Sequence, residues 1–243
     1  MTFQTATLSK IGGRVNNEDF LGYKNRDDCH CWVIADGLGG HELGEMASRL
    51  AVESLLNSFA QDKQLSIELL QSNMNRAHEV LINRQKSLAK QSGLKTTLVV
   101  LWADQTEIIW GHVGDSRLYI FHGGKICFQT KDHSLPQALV NSGEIKPDEI
   151  RFHEDRNRLL QVVGSKERYK PTLANTPYLY KDKDAFLLCT DGFWEYVTEP
   201  EMEADYAKSC SPEEWLKRME SRILSQAPQG NDNYSAIAVF VRG

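Results

Sequence analysis

The chain is poor in several features, and each absence narrows its class. Its five cysteines are odd in number and follow no framework spacing, which argues against a disulfide-stapled secreted scaffold and for a reducing compartment. Met1-Thr2-Phe3-Gln4-Thr5-Ala6-Thr7-Leu8 carries neither a basic region nor a long apolar run, so neither a signal peptide nor a membrane-spanning helix is expected. Positive charge is in deficit, with 28 Lys and Arg against 33 Asp and Glu, a net −5. That balance disfavours nucleic acid and anionic membrane as partners. No repeat, low-complexity tract or Pro/Gly linker interrupts the 243 residues.

Familiar phosphate-handling loops are missing as well. No cysteine is followed six residues later by arginine, and no G-x-x-x-x-G-K-[ST] stretch occurs, which excludes cysteine-dependent phosphatase and P-loop chemistry. Gly37-Leu38-Gly39-Gly40-His41-Glu42 approaches a dinucleotide fingerprint but has Glu42 where the third glycine belongs. Asp36 would also face a pyrophosphate with like charge. Asp115 lacks the neighbouring histidine of a calcineurin-type metal site. Cys29-His30-Cys31 has no second Cys/His pair to complete a zinc site, so these thiols are read as buried apolar groups.

What is present has the makeup of a globular chain, 41% hydrophobic and 25% charged. Short strands are expected near 4–9, 19–25 and 29–35. A helix after His41 follows from the spacing of Leu43, Met46, Ala47, Leu50, Ala51, Leu55 and Phe59. A second helix follows from Ile67, Leu70, Met74, Ala77 and Leu81. Residues 95–130 read as a β-meander of Thr96–Ala103, Glu107–Val113, Arg117–His122 and Lys125–Thr130. The polar stretch 132–168 reads as a lid or irregular insertion. Further strands fall near 173–180 and 184–190. Two late helices start at the capping pairs Thr198/Glu201 and Ser211/Glu214, before a C-terminal strand. This order does not alternate as βαβ units do, and it favours an α+β fold of packed antiparallel sheets flanked by helices.

Four aspartates stand at the ends of strand-like runs. Asp36 follows Cys31-Trp32-Val33-Ile34-Ala35, Asp115 follows Gly111-His112-Val113-Gly114, Asp191 follows Phe186-Leu187-Leu188-Cys189-Thr190, and Asp232 precedes Ser235–Val241. Carboxylates brought together in this way repel one another unless cations lie between them, and Mg²⁺ or Mn²⁺ prefers such oxygen-rich surroundings. If the four share one site, the whole of 1–243 is one domain. Arg14, in Gly13-Arg14-Val15-Asn16-Asn17-Glu18-Asp19, adds a planar fork suited to a phosphate dianion.

The ordered set Arg14-x-x-x-Glu18-Asp19, Asp36-Gly37-x-Gly39-Gly40-His41, Thr96-Thr97, Gly114-Asp115-Ser116-Arg117, Asp132-His133-Ser134, Thr190-Asp191-Gly192 and Asp232-Asn233 resembles the type 2C, metal-dependent serine/threonine protein phosphatases, most of all their compact bacterial branch. The resemblance runs from about Arg14 to Val241. It implies a four-layer αββα sandwich and hydrolysis of phosphoserine and phosphothreonine on proteins by a water bridging two Mn²⁺ or Mg²⁺ ions, without a covalent phosphoenzyme. It also implies roles. Asp36 would bridge both ions, and Asp191 and Asp232 would complete one of them. The Gly37 carbonyl and, through water, Glu18 would serve the other, with Asp19 supporting the shell. Asp115 and Asp191 would offer a third, weaker site, and Arg14 would hold the substrate phosphate. A cytoplasmic monomer acting on phosphoproteins, opposing a serine/threonine kinase, is the corresponding expectation.

The chain departs from the family pattern in three places. Leu38 stands where some members carry a histidine proposed as general acid, Lys95 stands where bacterial relatives have glycine, and Arg156–Gly164 only partly follows the usual lid pattern. His41 is read as packing in its turn, and His112, His133 and His153 have no assigned role. Two other readings stay open. One is a non-catalytic phosphoprotein-binding module on the same fold, and the other is a metal-dependent phosphodiesterase or nuclease.

Overall fold

Strands that are buried on both faces need an apolar residue at every position, and Cys31-Trp32-Val33-Ile34-Ala35 meets that demand. In a computed structural model, which describes residues 1–39, 42–61, 64–88 and 93–243, Trp32 and Ile34 point into a core between two sheets. Cys31, Val33 and Ala35 point the other way, into a helix-covered layer.

The first sheet runs, in spatial order, β1 (Thr2–Lys10), β12 (Tyr234–Arg242), β11 (Ala185–Cys189), β7 (Arg117–His122) and β8 (Lys125–Gln129). The second runs β10 (Tyr178–Leu179), β6 (Glu107–Val113), β5 (Leu98–Ala103), β3 (Cys29–Leu38) and β2 (Asp19–Arg26). The short β4 (Lys95–Thr96) pairs with β3, and β9 (Thr172–Leu173) pairs with β6. Every pairing is antiparallel.

Helices α1 (Glu42–Phe59) and α2 (Ile67–Ser87) lay Ala47, Ala51, Leu55, Phe59, Leu70, Met74 and Leu81 on the outer face of the second sheet. On the other side, α5 (Glu199–Tyr206) and α6 (Pro212–Gln226) bury Met202, Trp215, Met219 and Ile223 against Tyr119, Phe121, Leu187 and Phe240. The result is the four-layer α+β sandwich expected, helices on both outer faces. Truncating one of the large buried rings to alanine typically costs about 3–5 kcal/mol. Among the described residues, no helix is long and apolar enough to cross a membrane.

Several expectations need correction. The run 95–130 is not one meander: β5 and β6 pair in the second sheet, whereas β7 and β8 pair in the first. The chain changes sheets at Gly114-Asp115-Ser116, where Gly114 takes φ 101° and a Cβ would press into Thr97. Only glycine adopts that backbone without strain. The stretch 132–168 is more ordered than an irregular insertion, containing α3 (Leu135–Ser142) and a 3₁₀ turn (Pro147–Phe152). Strands expected at 173–180 shrink to β9 and β10. The Thr198/Glu201 capping box closes as expected. At α6 only half does: Ser211 Oγ accepts from Glu214 N–H, but the Glu214 carboxylate turns to Cys210 N–H.

Candidate metal centre

The site forms at the end of the sandwich where β3, β11 and β12 meet the loops that follow or precede them. Asp36 does not close its strand as expected. β3 continues to Leu38, and Asp36 sits opposite Asp19 of β2. Its backbone is held from below. Asp36 N–H donates to Thr97 Oγ1 (2.9 Å), while its carbonyl oxygen accepts from Thr96 Oγ1 (2.7 Å) and Thr97 N–H (2.8 Å). Thr97 Oγ1 lies 2.7 Å from Ser116 Oγ, so the same threonine also reaches the loop that carries Asp115.

Next along the chain, Gly37 N–H donates to the Glu18 carbonyl oxygen (3.0 Å). Gly44 in α1 packs so close that a Cβ there would strike Glu18 Oε2. Three glycines thus let strand, helix and the Glu18 loop meet around this corner, with Gly37 facing Gly44 and Gly39 at φ 137°. His41, expected to pack in this turn, lies outside the described residues, as does Gly40.

The other sheet supplies Asp191, at the first position of α4 (Asp191–Trp194), and Asp232, just before β12. Asp191 Oδ1 accepts from Gly192 N–H (2.7 Å) and Asp232 Oδ1 from Asn233 N–H (2.8 Å), which fixes each carboxylate against its own turn. Asn233 fastens the N-terminal loop: its Oδ1 accepts from Glu18 N–H (2.8 Å) and its Nδ2 donates to the carbonyls of Ile11 (2.7 Å) and Asn16 (2.9 Å). Thr190 Oγ1 donates to Asp19 Oδ2 (3.0 Å) and accepts from Ser235 N–H (3.0 Å).

Asp36, Gly37, Glu18, Asp115, Asp191, Asp232 and Arg14 all line one cleft of about 550 Å³; Asp19, opposite Asp36 on β2, is not among its lining residues. Arg14, expected on the substrate phosphate, has its Nη2 on Asp232 Oδ2 at 2.8 Å.

Electrostatics make this corner costly for bare carboxylates. Burial pushes the Asp36 carboxyl well above the ordinary carboxylate range, and Asp191, Asp19, Asp115 and Asp232 add repulsion. Asp191 is raised in the same way, by burial and then by Asp115, Glu195, Asp232 and Asp19. Asp19 and Asp115 are each pushed up to about 7, again mainly by burial. Asp19 Oδ1 and Asp115 Oδ1 are buried without a hydrogen-bond partner among the described residues. Oxygens left in that state are costly unless a cation or a proton takes them.

The donor set therefore fits hard divalent ions. Among the described residues no trio of His, Cys, Asp or Glu side chains is disposed to enclose one ion.

Comparison with known proteins agrees with this geometry. The family model for protein phosphatase 2C matches residues 9–227. This chain belongs to the protein phosphatase 2C family. It is accordingly a serine/threonine protein phosphatase. The serine/threonine phosphatase stp of Listeria monocytogenes serotype 4b is 32% identical over 196 residues, covering 78% of this chain and 77% of that protein. Among solved structures, the Mycobacterium tuberculosis serine/threonine phosphatase PstP/Ppp superposes with a TM-score of 0.88 at 26% identity, covering 100% of both chains. The catalytic domain of PstP in complex with 2 manganese ions superposes with a TM-score of 0.85, at 26% identity and 99% coverage of both chains.

Within this phosphatase, motifs that carried no assigned role have structural work. Asp132 forms a paired contact with buried Arg117, Nε to Oδ1 at 2.8 Å and Nη2 to Oδ2 at 2.7 Å. Ser134 caps α3. His133 Nδ1 accepts from Gly114 N–H (3.2 Å), so its proton sits on Nε2, 2.9 Å from Thr172 Oγ1. Burial, then His112, holds its pKa down at about 4. His153 Nδ1 accepts from Asp155 N–H (3.0 Å), a local turn contact. From the 132–168 stretch, Asn157 and Leu159 reach the cleft wall, and Arg156 Nε binds Glu195 Oε1 at 2.9 Å. Leu38 lines the cleft where some relatives place a histidine. The roles of Asn233, Thr190 and Trp194 escaped sequence reasoning, because each acts on a partner 79 or more residues away.

Proposed function

We propose that this phosphatase cleaves phosphoserine and phosphothreonine esters on proteins by direct attack of water on phosphorus, at a divalent-metal centre built on Asp36, Asp191 and Asp232. The observation that carries this reading is the convergence of buried carboxylates that raise one another's pKa, Asp36 and Asp191 above all. Asp36 would be shared between two ions. Asp191 and Asp232 would complete one, and the Gly37 carbonyl with Glu18 would serve the other, backed by Asp19. Bound there, the ions would lower the pKa of a water and place it for in-line displacement.

The chain's own residues do the rest. The Thr96–Thr97 clamp fixes the Asp36 backbone, and Asn233 holds the Arg14–Glu18 loop against the Asp232 turn. Arg14, at the mouth of the same cleft and paired with Asp232, would meet phosphate oxygens through its planar fork. Asp115, whose Oδ1 has no hydrogen-bond partner among the described residues and whose charge acts on Asp191, would offer with it an outer and weaker cation seat. Leu38 supplies no proton, so protonation of the leaving oxygen would come from water in the cleft or from another group. A cytoplasmic monomer opposing a serine/threonine kinase remains the cellular setting of this proposal.

The test is hydrolysis of a phosphothreonine peptide and of an artificial aryl phosphate with Mn²⁺, with Mg²⁺ and with excess chelator. Activity is expected only with the ions, and Asp191→Ala is expected to be close to inactive. Full activity in chelator would overturn the metal reading. Hydrolysis of a diester in preference to a monoester would overturn the substrate.

A further inference from the structure

We infer that Trp194 is a positioning residue that sets the spacing between Asp115 and Asp191, through its indole N–H and independently of its bulk. This inference rests on the reading that those two aspartates flank an outer cation seat. Trp194 ends the single turn of α4 that Asp191 begins. The two residues are three apart on one helical turn and so lie on the same side of it. The Trp194 backbone N–H donates to Thr190 O at 3.3 Å, which ties its main chain to the residue preceding Asp191.

The indole itself reaches across to the other strand. Trp194 Nε1 donates to the Asp115 carbonyl oxygen at 2.9 Å, over a sequence separation of 79. The side chain is only 2% exposed, so solvent offers no substitute donor. The ring is itself immobilised. The Arg117 guanidinium carbon lies 3.4 Å from the ring centroid and that of Arg151 5.4 Å. Asp132 holds Arg117, and Glu199 Oε1 accepts from Arg151 Nη2 at 2.7 Å. A ring stacked under a guanidinium whose own partners are buried cannot slide or flip freely.

On the other side, Asp115 sits in the turn where the chain changes sheets, after Gly114 at φ 101°. Its carboxylate Oδ1 has no hydrogen-bond partner among the described residues. The indole hydrogen bond to its backbone carbonyl ties this turn to α4. A buried indole N–H usually takes an acceptor, as Trp215 shows in donating to the Met202 carbonyl oxygen at 3.0 Å. What is particular to Trp194 is that its acceptor belongs to Asp115, and packing and positioning separate when the N–H is removed without changing the ring.

The experiment compares wild type with a protein carrying benzothienylalanine at 194, which replaces the N–H by sulfur at nearly constant shape, and with Trp194→Phe. Asp115→Asn reports the seat itself. Mn²⁺ binding is followed by calorimetry, and the rate is titrated with Mn²⁺ on a phosphopeptide. Loss of one buried hydrogen bond is expected to weaken the low-affinity Mn²⁺ step about three- to tenfold. The tight Mn²⁺ sites and the peptide KM should be unchanged, and kcat should recover at high Mn²⁺. If Asp115→Asn weakens that step while the benzothienyl protein keeps wild-type affinity, Trp194 only packs and the inference is overturned. If Asp115→Asn also leaves the step unchanged, the outer seat is refuted and the inference falls with it. Should Trp194→Phe fail to fold, the benzothienyl protein decides.

Discussion

Arg14 spans two roles, because its guanidinium can neutralise Asp232 or engage a phosphate but cannot fully do both. In the structure it does the first, at 2.8 Å and half exposed. Cations on Asp232 would take over that task. Arg14→Ala is therefore expected to leave metal binding intact and to lower kcat/KM for several phosphopeptides alike, by about 1.5–3 kcal/mol. Calorimetry showing loss of Mn²⁺ in this variant would make Arg14 a structural residue instead. Asp115→Ala is the complementary case. It should retain the tight ions, lower kcat, and need more Mn²⁺ for half-maximal rate, since a seat with few carboxylates binds weakly. Unchanged kinetics would reduce Asp115 to a turn residue. At this scale the acidic positions were legible, because a charged residue at the end of an apolar run is visible in the chain. Which hydroxyls and amides would hold them was not. Thr97, Thr190 and Asn233 are ordinary polar residues until a partner 61, 171 or 215 positions away is known.

At the scale of elements, the periodicities of α1 and α2 and the order of strands were readable, because burial on one helix face or on both strand faces leaves a direct pattern. The division of 95–130 between two sheets was not. A hairpin and a sheet-to-sheet crossing can use the same short glycine turn, and Gly114-Asp115-Ser116 gives no local sign of which it is. The start of α1 offers a test of the corner it builds. Gly44→Ala would put a Cβ onto Glu18 Oε2, the end of a flexible side chain. The carboxylate is expected to swing away and the fold to survive, with a raised Mn²⁺ requirement and little change in circular dichroism. A variant with wild-type Mn²⁺ dependence would show that Glu18 takes no part in holding an ion.

Across the whole molecule, the clustered acids link metal to stability. In the metal-free fold, burial and mutual repulsion raise Asp36 and Asp191, and bring Asp19 and Asp115 to about 7; unfolded aspartates titrate near about 3.9. The fold thus retains protons that the unfolded chain has released. Its stability is full below the unfolded value and is lost as pH rises through the folded values. Buried His112 and His133, both lowered chiefly by burial, act in the opposite direction in acid, below about 6.5. Thermal melts in chelator are therefore compared between about pH 6.5 and 8, where Tm is expected to fall with rising pH. Mn²⁺ should restore it most at the upper end. A flat profile in chelator would mean that the carboxylates do not converge in solution.

The pairing of β1 with β12 has a consequence for biogenesis. Arg14 and Glu18 follow β1 and Asp232 precedes β12, so the two edges of the cleft are encoded far apart, Arg14 and Asp232 by 218 positions. During synthesis the residues of β3, with Asp36, are made early and wait for their partners. No partial product, however long its folded portion, can hold the complete site until β12 has been released to lie beside β1. The site is in this sense self-timed, complete only once β12 has been made.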